Sequence, residues 1–425
     1  MTGHHVQGVP IAEIAATHGT PLYVYDADVL TETYRGLREA LHPALELYYS
    51  LKANPNVSVC AELVRLGAGA EVSSGIELRT AAAAGAAPAD TIFLGPGKSD
   101  DELRACVAAG IRAVVVESEG ELRRLSAIAG GGGPVEVLLR VNPAFTSKGS
   151  GLSMGGKPRQ FGIDEELVPG VAELAASLPG VRVRGLHAYM GTRILDPADV
   201  VHNTRGILEM AVRLHESCGI ELSTVDVGGG LGVAYFENET DFSVAELAAG
   251  LNPVVAGFAA GHPGTRLIME LGRYLVGFAG TYVVGVRDVK SSRGERFVVA
   301  DGGTNHHMAA VGIGSFVKRN FPIRSLTRPD EPATGACTVT GPLCTPNDVV
   351  GKKVPLPDVR PGDLLGVDRS GAYGPTASPV QFLSHGYPAE VLVRDGVAHL
   401  VRHRDTDDEL LGRQVLAVQP AAQPA

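Results

Sequence analysis

Four places in the sequence combine residue types that can do chemistry. Lys52 follows the apolar run LELYYS, in YYSLKANPN, where Pro55 stops the extended stretch. His187 and Tyr189 close VRGLHAYM and are followed by Gly191 and Thr192. Gly228, Gly229, Gly230 and Gly232 crowd the end of TVDVGGG, and Glu270, Gly272 and Arg273 end RLIMELG. A lysine becomes a nucleophile when desolvation or neighbouring positive charge removes its proton. The bare N–H groups of a glycine loop can approach an anion closely. Each feature also has a plain reading, a solvated strand-end charge or a tight turn. The glycines do not match GxGxxG with a following helix and distal acid, so no dinucleotide fingerprint is read. Taken together, a lysine, a phosphate loop and a buried carboxylate point to a phosphorylated cofactor held as an imine.

These residues share a position. From Leu45 to Gly272, eight short apolar runs alternate with stretches whose apolar residues recur at helical spacing, such as SDDELRACVAAG and HNTRGILEMAVRLHESCG. Continuous apolar strands separated by helices imply a buried parallel sheet, and eight such units predict a closed (β/α)8 TIM barrel. Functional groups then collect at the C-terminal ends of the strands, where all four features lie. After about Gly280 the pattern becomes short strands and turns, which predicts a second, mostly antiparallel β domain. The expected division is a barrel over 27–280 and a β domain formed by 1–26 with 281–425.

The net charge of −10 offers no basic patch for nucleic acid or an anionic membrane. Five scattered cysteines without a CxxC pair suit a reducing compartment and neither a disulfide framework nor a metal site. No signal peptide is read, and the apolar stretch from Leu247 to Gly261 is broken by Asn252, Pro253 and glycines, too interrupted to span a bilayer. The expectation is a cytoplasmic protein with neither a nucleic-acid nor a membrane partner.

TPLYVYD, YYSLKANPN, GLHAYMGT, DVGGGLG, ELGR, GPLCTPND and GAYG occur in the order seen in fold-type III pyridoxal-phosphate decarboxylases, the diaminopimelate and ornithine decarboxylase family. The resemblance runs from about Gly19 to Leu411. It implies an alanine racemase-like barrel with a C-terminal β domain, and a homodimer with shared active sites to which the β domain contributes. It would make Lys52 the lysine that binds pyridoxal 5'-phosphate as a Schiff base. Gly229, Gly230 and Gly232, with Arg273 and Tyr373, would hold the phosphate, and Glu270 would meet the pyridine nitrogen and keep it electron-withdrawing. Ser74, Tyr189, Thr192 and Gly272 would also line the cofactor, and Asp348 the substrate. Cys344 would reach the partner subunit's site and act in the protonation step. A racemase on the same barrel would dispense with the carboxylate at 270, which favours decarboxylation.

Departures from the family bear on the substrate. Thr345 follows Cys344 where the diaminopimelate and ornithine enzymes carry Glu or Asp to pair with a distal ammonium. Threonine cannot neutralise a desolvated charge, so a free diamino acid fits poorly. Tyr189 stands where a histidine stacks on the cofactor ring; an aromatic face can still stack, and His187, two residues earlier on the same side of the strand, is a substitute. Leu383 replaces an asparagine after Phe382, and Leu271 makes ELGR of the commoner EPGR. The segment DGGTNHHMAAVGIGSFVKRNFPI resembles a subgroup containing the butirosin-type decarboxylase of antibiotic biosynthesis, which acts on glutamate tethered to an acyl carrier protein. Lys318 and Arg319 would then meet an acidic carrier or a phosphopantetheine phosphate; their plain reading is a solvated pair. His306 and His307 suit the core or a substrate contact better than a metal. The alternatives are a free amino-acid decarboxylase such as diaminopimelate decarboxylase, a racemase, and a non-catalytic binding protein.

Overall fold

A computed structural model describes residues 3–146, 152–153, 158–311 and 319–417. The chain divides into two compact units, Asp26–Gly280 and a unit that joins the preceding residues to Thr281–Ala425.

In the first unit eight strands lie parallel: β1 (Leu45–Ser50), β2 (Gly69–Val72), β3 (Thr91–Phe93), β4 (Ala113–Val116), β5 (Val135–Asn142), β6 (Val181–His187), β7 (Thr224–Gly229) and β8 (Arg266–Leu271). Each pairs with its neighbours in chain order, and β8 pairs β1, so the sheet closes into the expected barrel. The strands are rich in β-branched residues and wholly buried where they face both barrel and helices, as in AVVV of β4. Helices begin at side-chain caps; Asn56, Ser74, Ser118 and Ser243 each accept a backbone N–H of the first turn, and Ser99 forms a capping box with Glu102. The helix after β8, Arg273–Val276, is only four residues long. Its place in the ring goes to Ala27–Ala40, which packs on Val57–Arg65 and on Val244–Gly261.

The alternation of strand side chains stacks the barrel interior in layers. At the bottom, Arg266 at the start of β8 pairs with Glu46 (Nε–Oε1 2.7 Å) and Asp90 (2.8 Å). Above it Tyr48, Ile92, Val115, Leu138 and Ile268 form an apolar plug. The upper layer is polar.

Two expectations change. The sixth strand ends at His187, not at Met190, so Tyr189 lies in the loop beyond it. The stretch around Leu247 is not interrupted: Val244–Gly261 is one 18-residue helix with Pro253 inside it, long and apolar enough to cross a bilayer. Its Leu247, Leu251, Val255 and Phe258 form a buried stripe at helical spacing. Asn252 is drawn into the packing, accepting from His42 N–H (2.8 Å) and donating to the Ala40 carbonyl (2.9 Å).

The second unit is built on a sheet whose strand order is Val349–Leu356, Gly335–Thr340, Glu295–Ala300, Gly280–Ser292, Leu22–Asp26, Ala389–Arg394 and Val397–Arg402. It is mostly antiparallel, with Glu295–Ala300 and Gly335–Thr340 running parallel. Leu22 and Val24 of the N-terminal strand lie in a core with Val283, Leu326, Val391 and Val393.

Candidate active site

Lys52 sits in a single 3-10 turn, Leu51–Ala53, as the chain leaves β1. Its neighbours Leu51 and Ala53 are buried while its side chain keeps 39% exposure, so the amine stands at the barrel mouth. Nζ lies 3.7 Å from Oε2 of Glu71, an inward residue of β2, and 5.3 Å from the centre of the Tyr189 ring. Tyr189 is half-buried.

Below the lysine, three inward residues from adjacent strands meet: His187 on β6, Asp226 on β7 and Glu270 on β8, all within 4.8 Å of one another and no more than 3% exposed. His187 Nε2 lies 3.2 Å from Glu270 Oε1. His187 is fully buried, whereas Tyr189 keeps a half-buried place beside Lys52. Burial works to raise the Glu270 carboxyl, but His187 and Lys52 outweigh it and hold the group at about 2. Asp226 is pushed the other way, well above the usual carboxylate range, by burial first and by repulsion from Glu270 second. Ser50 Oγ and His187 Nδ1 are buried without a hydrogen-bond partner among the described residues, leaving bonding capacity unmet at this end of the barrel.

The glycine loop closes one side. Gly228 and Gly230 adopt positive φ, 64° and 94°. A Cβ on Gly229 would come 1.7 Å from the Glu270 carbonyl, and one on Gly230 2.1 Å from the Gly191 carbonyl. Glycine is thus required for the loops after β6, β7 and β8 to pack together. The Gly232 N–H is committed to the Ile194 carbonyl (2.8 Å). Gly272 lets the exit of β8 approach the lysine turn, since a Cβ there would be 2.9 Å from Ala53 Cβ. Arg273 donates from Nη1 to Tyr235 Oη (3.1 Å), and its guanidinium and that of Arg193 lie 5.5 and 5.7 Å from the Tyr235 ring. Thr192 lies in a two-residue strand paired with Leu152–Ser153. Ser74 is the N-cap of the helix after β2, its oxygen accepting from Glu77 N–H at 3.2 Å.

Five residues of this end carry no signal strong enough to single out in the sequence: Glu71, Glu117, Arg140, Asp226 and Arg193. Arg140 and Glu117 form a buried ion pair (2.8 Å) between β5 and the end of β4. The available signal was an acid or base within or just beyond an otherwise apolar strand.

The second unit carries the remaining expected residues. Cys344 is exposed and Thr345 half-buried, on the turn between Gly335–Thr340 and Val349–Leu356. Asp348 is held by hydrogen bonds within its own unit. It is 2% exposed, with Oδ1 accepting from Thr304 N–H (2.8 Å) and Oγ1 (2.9 Å) and Oδ2 from Leu343 N–H (2.8 Å). With both oxygens occupied, it pins the turn that bears Cys344. Tyr373 holds φ 55°, an uncommon conformation for a bulky residue. Leu383 also lies in the left-handed region, φ 52°, which asparagine tolerates better than leucine. His306 and His307 occupy a turn, not a strand, and both are core residues: His306 Nε2 meets the Gly386 carbonyl at 2.9 Å and His307 Nε2 the Ser370 hydroxyl at 2.7 Å. Arg319 is exposed, and Lys318 lies outside the described residues.

Comparison with known proteins agrees with this arrangement. Residues 28–277 match the family described as pyridoxal-dependent decarboxylase, pyridoxal binding domain. The chain is 36% identical over 401 residues to the L-glutamyl-[BtrI acyl-carrier protein] decarboxylase of Niallia circulans, covering 93% of this chain and 94% of that one. It is 33% identical over 420 residues to the diaminopimelate decarboxylase of Methanothermobacter thermautotrophicus, covering 96% and 95%. Among solved structures, the diaminopimelate decarboxylase of M. jannaschii in complex with L-lysine superposes with a TM-score of 0.90 at 28% identity, covering 97% of this chain and 96% of that one. A barrel with a lysine at its mouth, a carboxylate beneath and a glycine loop beside it is accordingly that of an enzyme with pyridoxal phosphate as cofactor, a carboxy-lyase, and the chain belongs to the fold-type III pyridoxal-dependent decarboxylases.

Proposed function

We propose that this enzyme decarboxylates an amino-acid group whose distal end is masked, a glutamyl unit carried as a thioester on an acyl carrier protein being the form that fits. The observation that carries this is Thr345, placed directly after the exposed Cys344 where the diamino-acid enzymes hold an acid. A neutral hydroxyl suits a thioester or amide end and leaves an ammonium uncompensated. The higher identity to the carrier-protein decarboxylase supports the same reading.

The residues present fit the cofactor. A half-exposed amine, a buried carboxylate held ionised, unmet polar atoms at Ser50 and His187, and a glycine loop that leaves no room for side chains together suit a flat, phosphorylated, hydroxyl-bearing ring. When bound, pyridoxal phosphate supplies an electron sink for the pair left at Cα as the carboxyl group departs. In this reading Lys52 would hold the cofactor covalently, and Glu71 would compensate the charge of the free amine. Glu270 would meet the ring nitrogen and keep it protonated, because a carboxylate held near 2 remains charged throughout the working range. The Gly229–Gly230 turn, Gly232 and Arg273, with Tyr373, would hold the phosphate, and Tyr189 would pack on the ring. Ser74, Thr192 and Gly272 complete the cofactor's surroundings. Cys344 returns a proton to Cα across the interface of a homodimer. Lys318 and Arg319 face an acidic carrier protein, and the enzyme works in the cytoplasm.

CO2 release by the cofactor-loaded protein tests this. Free glutamate, ornithine, lysine and diaminopimelate would be compared with glutamate loaded on a carrier protein. Release from the carrier-bound form alone is expected; brisk release from free diaminopimelate would overturn the reading.

A further inference from the structure

Asp226 touches both halves of the site. Its Oδ1 accepts the Gly228 N–H at 2.8 Å, an Asx-type bond that holds the left-handed turn opening the glycine loop. Among the described residues its Oδ2 has no donor to accept from, yet its carboxyl lies within 4.8 Å of the Glu270 carboxyl and the His187 ring. Two carboxylates this close in a dry interior do not both ionise. Of the other ionisable groups at this end, Arg140 is paired with Glu117 and Arg193 with Glu239, which leaves Glu71 on β2, Lys52 beyond β1, His187 on β6 and Glu270 on β8. Glu270 has His187 at 3.2 Å, and Lys52 sits 3.7 Å from Glu71, whereas Asp226 accepts a single neutral N–H. A proton on Asp226 relieves that repulsion and turns the stranded Oδ2 from an acceptor into a donor.

We propose that Asp226 is a positioning residue, a neutral acid that donates a hydrogen bond to Glu270 through Oδ2 and holds Gly228 through Oδ1. It fixes the carboxylate for the cofactor ring and the loop for the cofactor phosphate in one geometry. The inference rests on the reading that Glu270 meets the ring nitrogen.

The test loads the protein with pyridoxal phosphate labelled with 15N in the ring and records the ring-nitrogen signal and the cofactor Kd. Asp226→Asn keeps both bonds, its amide N–H2 donating to Glu270 and its oxygen accepting from Gly228. It should show a protonated ring nitrogen and a Kd within about twofold of the native value. Asp226→Ala loses both bonds and should raise Kd roughly 10- to 100-fold, as loss of an outer partner does at other bound centres, and reduce ring-nitrogen protonation. Loss of ring protonation in Asp226→Asn would overturn the inference, because an ionised carboxylate would then be what the site needs. Native behaviour of Asp226→Ala would overturn it equally. Should the alanine variant fail to fold, the asparagine variant alone decides. Glu270→Gln separates the two claims. A native signal there removes the reading of Glu270 itself, while a changed signal there together with a changed signal in Asp226→Asn removes only the part given to Asp226.

Discussion

Lys52 Nζ and Glu71 Oε2 are 3.7 Å apart, a half-exposed amine set against a carboxylate with no solvent exposure. Among the described residues, Glu71 receives one further hydrogen bond at its other oxygen, from Ser73 Oγ at 2.9 Å. The pair therefore depends on the lysine for its compensation, and the lysine is held over the mouth by it. Lys52→Ala should abolish the cofactor's visible absorption band and lower turnover by roughly a thousandfold or more. Absorption spectra and CO2 release of the purified variant check both. A retained band with near-native turnover would remove Lys52 from its assigned part.

Thr345→Glu restores a negative charge beside Cys344. We expect kcat/KM for diaminopimelate to rise relative to carrier-bound glutamate by about tenfold, equivalent to about 1.4 kcal/mol. Competition assays with both substrates measure the ratio. An unchanged ratio would mean that position 345 does not meet the distal end of the substrate.

Cys344→Ala should slow product formation while cofactor Kd stays within about twofold, since the thiol is assigned to proton return and not to holding the ring. Equal losses in affinity and rate would count against that assignment.

Asp348→Ala should act on the same turn from beneath. It strands the Thr304 N–H, the Thr304 hydroxyl and the Leu343 N–H, a loss of about 2–4 kcal/mol. Thermal unfolding should register the loss. Asp348→Asn, which keeps one acceptor, should fall between. A native melting temperature in the alanine variant would show that the clamp is dispensable.

His306 and His307 make the β unit acid-sensitive. Burial lowers His306 to about 4 and His307 to about 3, from an ordinary value of 6.5. Both are neutral in the fold, so the unfolded chain binds more protons below 6.5. Their contribution is complete above pH 6.5 and is lost as pH falls toward 4, by up to about 1.4 kcal/mol per pH unit for each. Melting temperature followed from pH 7.5 to pH 4.5 should fall steeply, and less so in His307→Phe. A flat profile would contradict neutral burial of the pair.

The barrel was legible because its strands are continuous apolar runs and its helices are capped and periodic, signals that local chemistry imposes. Lys52, the glycines and Glu270 were legible because unusual residues at strand ends stand out against such runs. Asp226 and Glu71 were not, since one acid inside TVDVGGG or AEVS carries no periodic signature and its meaning depends on which strands become neighbours. The pairing of His187 was not legible for the same reason: its partner is Glu270, 83 residues away. The helix around Pro253 was misread because proline and glycine counted as breakers there, whereas tertiary contacts of Asn252 and a buried stripe sustain the helix through them.

The strand Leu22–Asp26 sits in the middle of a sheet whose flanking partners are Gly280–Ser292 and Ala389–Arg394. During synthesis it leaves the ribosome first and then waits while the entire barrel, Asp26–Gly280, is made. At ordinary elongation rates of about 5–20 residues per second, the last of its neighbours arrives tens of seconds later. Its apolar face, Leu22 and Val24, meets water or a chaperone through that interval. Every residue of the barrel is thus synthesised before Cys344, so the nascent chain holds its lysine and glycine loop before it holds its thiol.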